Sequence, residues 1–159
     1  MHIREIEEQD NRAMEQIIKR SLESFGLNMP GTAYFDPQLG SLAQYYERIP
    51  LAKYWVLVTD QGEVTGGVGI GPFGQNPEIC ELQKLYLSPQ AQGKGLSKQL
   101  MNVALDFAAA HYRYCYLETF DKLEAANALY VKYDFRPLEQ GLEESEHNAC
   151  DAWYIKELT

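Results

Sequence analysis

The chain has 159 residues, 45% of them hydrophobic and 23% charged, which is enough for one domain around one sizeable core and unlike a fibrous or disordered protein. Lys and Arg number 14 against 23 Asp and Glu, a formal net charge of −9 that argues against nucleic acid as a partner and attracts cations, protonated amines among them. The longest apolar runs fall far short of the ~20 residues that span a bilayer, the first residues do not read as a signal peptide, and Cys80, Cys115 and Cys150 lie far apart without CxxC spacing. We expect free thiols, a cytoplasmic protein, no metal and no membrane contact.

In chain order, residues 1–6 alternate weakly as a first strand. Asp10 is placed to cap a helix in which Ala13, Met14, Ile17, Leu22 and Phe25 recur at roughly helical spacing, ending near Gly26. Residues 28–40 hold Pro30, Gly31, Pro37 and Gly40 and read as a loop, and residues 41–49 as a short helix stopped by Pro50. Residues 54–58 and 64–70 are β-rich runs around an Asp60-Gln61-Gly62 turn, a hairpin whose second strand carries so many glycines that something must approach its backbone closely. After a loop over 72–77, residues 79–87 form a strand that Pro89 ends.

Gly93-Lys94-Gly95 then opens a helix to about His111, with Leu96, Leu100, Val103, Ala104 and Phe107 on one face. A strand over 114–117, a helix over 123–132, a short strand over 135–138, a polar loop over 139–148 and a final strand over 149–155 complete the chain. This order predicts an α/β fold, a single domain over 1–159 with a mixed, mostly antiparallel sheet of six or seven strands flanked by about four helices.

The segment Leu85-Tyr86-Leu87-Ser88-Pro89-Gln90-Ala91-Gln92-Gly93-Lys94-Gly95-Leu96-Ser97 is a strand, a glycine-containing turn and an amphipathic helix. Unpaired N–H groups and the dipole at such a helix start suit a pyrophosphate, although a bare strand-to-helix turn has the same look. It lacks the Gly-Lys-Ser/Thr of a P-loop and the third glycine of a dinucleotide fingerprint. Glu81, Gln83 and Lys84 interrupt the strand before it, where a helix-covered sheet buries both faces; a carboxyl kept there points to a site, or to an ion pair with Lys84. Downstream, Asn127 and Tyr130 share a helical face.

With these residues the sequence resembles the GNAT superfamily of N-acetyltransferases. The family's Gln/Arg-x-x-Gly-x-Gly/Ala signature falls on Gln92, Gly95 and Ser97, with Ser97 in place of the usual small last residue. Its downstream Asn, Leu-Tyr and Gly-Phe fall on Asn127, Leu129-Tyr130 and Phe135, with Asp134 where glycine is usual; Asp tolerates the left-handed conformation that such a helix end requires.

The resemblance implies acetyl-CoA as cosubstrate, direct transfer to an amine without a covalent enzyme intermediate, and homodimers as a common assembly. Leu85, Tyr86, Leu87, Gln92, Gly93, Lys94, Gly95, Leu96, Ser97, Asn127 and Tyr130 would then hold the cofactor. An alkylamine of pKa about 10.4 costs about 4.6 kcal/mol to deprotonate at pH 7, so a base is needed. Glu81 is the first candidate and Glu118 the alternative, with Tyr130 as the acid that protonates the departing sulfur. The acceptor is expected against Tyr34, Phe35, Asp36 and Glu118, with Tyr45 and Tyr46 nearby. His147 and Cys150 are too few for a zinc site and read as structural. Three other readings stay open: an acyl-CoA sensor without activity, a peptide or protein N-acetyltransferase, and a generic phosphate-binding domain.

Overall fold

The computed structural model describes residues 1–158. The elements are β1 (His2–Glu5), α1 (Asn11–Ser24), α2 (Leu42–Arg48), β2 (Lys53–Val58), β3 (Val64–Pro72), β4 (Ile79–Leu87), α3 (Leu96–His111), β5 (Tyr114–Thr119), α4 (Glu124–Lys132), β6 (Arg136–Leu138) and β7 (Ala152–Glu157). The strands form one sheet in the order β1-β2-β3-β4-β5-β7-β6. Every neighbouring pair is antiparallel except β4 and β5, which α3 joins as a parallel crossover. The mixed, mostly antiparallel sheet expected from the element order is the one observed.

Both faces of the sheet are covered. Leu100, Met101, Ala104 and Ala108 of α3 pack on Trp55, Leu57, Val68 and Leu117 on one face. Met14, Ile18 and Leu22 of α1, with Leu42 and Tyr46, pack on Tyr54, Val56 and Val58 on the other. Alternate residues of β2 therefore enter opposite cores, which is why that strand reads as one apolar run.

The glycines of β3 make room for side chains rather than for a ligand. A Cβ at Gly67 would lie 2.5 Å from the Tyr54 ring, and one at Gly69 would lie 2.7 Å from both Tyr54 and the Tyr46 hydroxyl. Tyr54 uses that space to donate a 2.7 Å hydrogen bond to the carbonyl of Lys84. Lys84 has φ of +51°, and the β3–β4 register slips opposite it between Gly67 and Gly69. This bulge shifts the alternation of β4 by one residue. Cys80 and Leu82 face α3 before it, Leu85 and Leu87 after it, and Tyr86 returns to the α1 side.

Two local expectations are corrected. Asp10 stands at the start of α1 but its side chain caps nothing there; it turns back to accept from Arg4 at 2.7 and 3.1 Å and from the Glu7 N–H at 2.8 Å. The last strand begins at Ala152 rather than at residue 149, because the Ala149 N–H bonds Gly31 O and the Cys150 N–H bonds His147 O. No helix among the described residues is long and apolar enough to cross a membrane.

Candidate active site

The parallel ladder of β4 and β5 is short. It pairs Ile79 with Tyr114, Cys80 with Cys115 and Glu81 with Tyr116, and then the strands part. From Leu82 onward the edge of β4 turned toward β5 has no strand partner, although buried backbone N–H and C=O groups require one. Crevices beyond the carboxyl ends of parallel strands are where open α/β sheets take ligands. A cavity of about 390 Å³ lies at this divergence, reached by Glu81, Leu85, Tyr86, Glu118 and Tyr130.

Glu81 is the last paired residue of β4 before the gap. Its Oε1 accepts a 2.9 Å hydrogen bond from Gln83 Nε2, and no cation lies within ion-pair distance of it among the described residues. Burial pushes its carboxyl up to about 7, the Gln83 bond opposes that, and nearby Glu118 reinforces it. The expected alternative, an ion pair between Glu81 and Lys84, is not formed. Lys84, 6% exposed, instead reaches Asp36 at 2.7 Å. Asp36 also meets His147 at 2.9 Å, so the loop after α1 and the loop after β6 are clipped together over the bulge. Burial would raise the Asp36 carboxyl, but His147 and Lys84 outweigh it and hold it below the usual range; the same contact raises His147 despite its burial.

Tyr130, on α4, is buried at 6% exposure among Phe135 and Tyr154, yet its ring reaches the cavity. Burial, with Tyr154 beside it, raises its phenol well above the ordinary value, so it stays protonated and able to donate. Glu118 accepts from the Tyr116 hydroxyl at 2.8 Å, and that hydroxyl accepts in turn from the Leu142 N–H at 3.0 Å.

At the far end of β4, Gly93 and Gly95 have φ of +76° and +73°, and a Cβ on either would touch nothing. Glycine is required there by backbone conformation and not by lack of space. Gly95 is the residue that starts α3, leaving the first N–H groups of a 16-residue helix without partners inside it. Gln92 donates from Nε2 to Leu87 O at 3.1 Å, bracing the turn. The free β4 edge, the cavity and this helix start fit an extended thioester cofactor with an anionic end.

Residues 13–135 match the Acetyltransferase (GNAT) family. The chain belongs to the GNAT family. It is 39% identical over 153 residues to the uncharacterized N-acetyltransferase YjgM of Escherichia coli (strain K12), covering 94% of this chain and 90% of that protein. Two solved structures share the fold. The phosphinothricin acetyltransferase of Sinorhizobium meliloti in complex with AcCoA has a TM-score of 0.75 at 21% identity, over 99% of this chain and 88% of that one. The spermidine N-acetyltransferase of Vibrio cholerae in complex with CoA and spermine has a TM-score of 0.72 at 18% identity, over 99% and 95%.

Against the GNAT pattern, Asp134 takes the left-handed conformation, φ +66°, that its place after α4 requires. Asn127, expected at the cofactor, has its amide engaged inside the fold. Its Nδ2 donates to Phe120 O at 3.0 Å and Leu123 O at 2.9 Å, and its Oδ1 accepts from Tyr154 at 2.8 Å. Tyr34 and Phe35 do not reach the cavity: Tyr34 donates to Glu23 at 2.7 Å and Phe35 is 60% exposed. Their neighbours Asp36 and Tyr45 do line it. Sequence reasoning passed over Glu144 and Glu146 and read His147 and Cys150 as structural; the loop after β6 brings all four to the cavity. A run of acidic residues around one histidine in an otherwise unstructured loop was the available signal.

Proposed function

We propose that the chain is a single cytoplasmic acetyltransferase domain that transfers acetyl from acetyl-CoA to the primary amine of a small molecule. The observation that carries this is Glu81: a carboxyl held near neutrality, without a cation, where β4 and β5 part. Acetyl-CoA supplies the activated acyl group. The unpaired edge of β4 over Leu85, Tyr86 and Leu87 would bind the amides of its arm, and the Gln92–Ser97 turn its pyrophosphate.

Glu81 takes a proton from the acceptor's ammonium, a task for which a carboxyl near pH 7 is well matched. Tyr130 offers its phenol proton to the sulfur as the carbon–sulfur bond breaks and the carbon–nitrogen bond forms, and the second proton that the nitrogen sheds on becoming an amide restores the phenol. Asn127 serves by pinning the start of α4, and so Tyr130, rather than by touching the cofactor. Asp36, Glu118, Glu144 and Glu146 outnumber Lys84 and His147 around the cavity, which favours a cationic amine.

Calorimetric titration with acetyl-CoA, followed by thiol release against a panel of small amines and amino-terminal peptides, tests the reading. Micromolar binding with release driven by small cationic amines is expected. Binding without release for any amine would establish the sensor reading instead, and faster release with peptides the protein-acetylating one.

A further inference from the structure

Three side chains from two elements stand in line beside the cavity. Tyr46 of α2 is 3% exposed and donates from its hydroxyl to Gln83 Oε1 at 2.5 Å. Gln83 Nε2 then donates to Glu81 Oε1 at 2.9 Å. Glu81 and Gln83 are two apart on β4, so their side chains leave the same face of the strand. Tyr46 reaches Gln83 because position 69 is glycine; a Cβ there would stand 2.7 Å from its hydroxyl oxygen.

The amide orientation follows from chemistry rather than from the shape of the group. A phenol so deeply buried keeps its proton, and Gln83 Oε1 is the acceptor it has. With Oε1 held by Tyr46, only N–H faces Glu81. The flipped amide would set an oxygen against a carboxylate oxygen and leave the Tyr46 proton facing an NH2 group.

The other charged or titratable groups around Glu81 are Lys84 and Tyr86 on its own strand, Cys115, Tyr116 and Glu118 on β5, Tyr130 on α4, Tyr45 on α2, Asp36 after α1, and Glu144, Glu146, His147 and Cys150 after β6. None of them hydrogen-bonds Glu81; among the described residues only Gln83 does.

We propose that Gln83 and Tyr46 are positioning residues for the base: the Tyr46–Gln83 relay stabilises the ionised form of Glu81 and leaves its second oxygen free to face the acceptor amine. This rests on the reading of Glu81 as the base. It explains why a polar glutamine is kept in a strand buried on both faces, and why β3 is glycine opposite it.

The test compares pH profiles of kcat/KM for the full chain and its Gln83→Met, Tyr46→Phe and Glu81→Gln variants, with acetyl-CoA and the best amine of the panel. The acid limb reports the base of the free enzyme. Losing a donor to a buried carboxylate moves that limb alkaline by about one pH unit in Gln83→Met, and by less in Tyr46→Phe, with the high-pH plateau kept within about tenfold. Calorimetric acetyl-CoA affinity stays at the wild-type value. Limbs that coincide with wild type, while Glu81→Gln abolishes the limb, overturn the relay alone. A limb that survives in Glu81→Gln removes Glu81 as base, and the relay with it.

Should Gln83→Met not fold, Tyr46→Phe, which deletes a single oxygen, carries the test. Unfolding by urea gives a readout without turnover. If the relay favours ionised Glu81, stability falls more steeply from pH 5 to pH 8 in the relay variants than in wild type; equal slopes overturn it.

Discussion

Replacing Glu81 by Gln is expected to raise stability while it removes activity. The carboxyl is raised from 4.5 to about 7 in the folded chain, chiefly by burial. The folded state therefore holds its proton more tightly than the unfolded one. The sign is the reverse of that for a salt-bridged carboxylate: Glu81 costs nothing below about pH 4, and folding stability is lost as pH rises from there through 7. At about 1.4 kcal/mol per pKa unit the full loss is about 3 kcal/mol. Glutamine keeps the shape and the acceptor oxygen for Gln83 but never ionises.

Urea unfolding at pH 5 and pH 8 measures the difference. With a slope near 2 kcal/mol per molar urea, the variant's midpoint gains on wild type by about 1 M between those pH values. Equal gains at both pH values, or none, would mean that Glu81 is not held near neutrality by burial, and its assignment as the base would lose its physical ground.

Tyr130→Phe should lower turnover by about 100-fold or more while acetyl-CoA binds as before in calorimetry, since a phenol poised as acid acts only as the sulfur departs. Gly69→Ala, which forces a Cβ to within 2.7 Å of Tyr46 and Tyr54, should cost about 1–3 kcal/mol and lower Tm by several degrees in a thermal melt. Asp36→Asn leaves the ammonium of Lys84, 6% exposed, without its counter-charge and should cost about 3 kcal/mol at pH 7. Because the Asp36 carboxyl is held below its usual range, that cost should shrink as pH falls below about 4, which acid titration of both proteins by circular dichroism would follow. Gly95→Ala, at φ +73°, should cost about 1 kcal/mol of stability and weaken acetyl-CoA binding by calorimetry, by moving the N–H groups that begin α3.

By itself the sequence determined what depends on neighbours along the chain. The apolar run from Tyr54 to Val58 marks a strand, Pro89 a strand end, and Gly93 and Gly95 the turn that opens α3, because propensity, turn chemistry and amphipathic period are local properties. Glu81 stood out for the same reason, as a carboxyl in a strand that should be apolar.

The tertiary structure decided which side chains meet. Tyr46 reaches Gln83 across 37 residues and His147 reaches Asp36 across 111, contacts fixed by how α2 and the loop after β6 dock on the sheet. The bulge at Lys84 had no turn residue to announce it; Tyr54 from β2 holds its carbonyl, and the bulge follows Glu81, the last residue at which β4 pairs with β5. Asn127 was expected at the cofactor because the family resemblance, a match of local spacing, implies it there. Its partners at Phe120 and Tyr154 exist only once β5, α4 and β7 have packed, and they turn its amide to holding the loop.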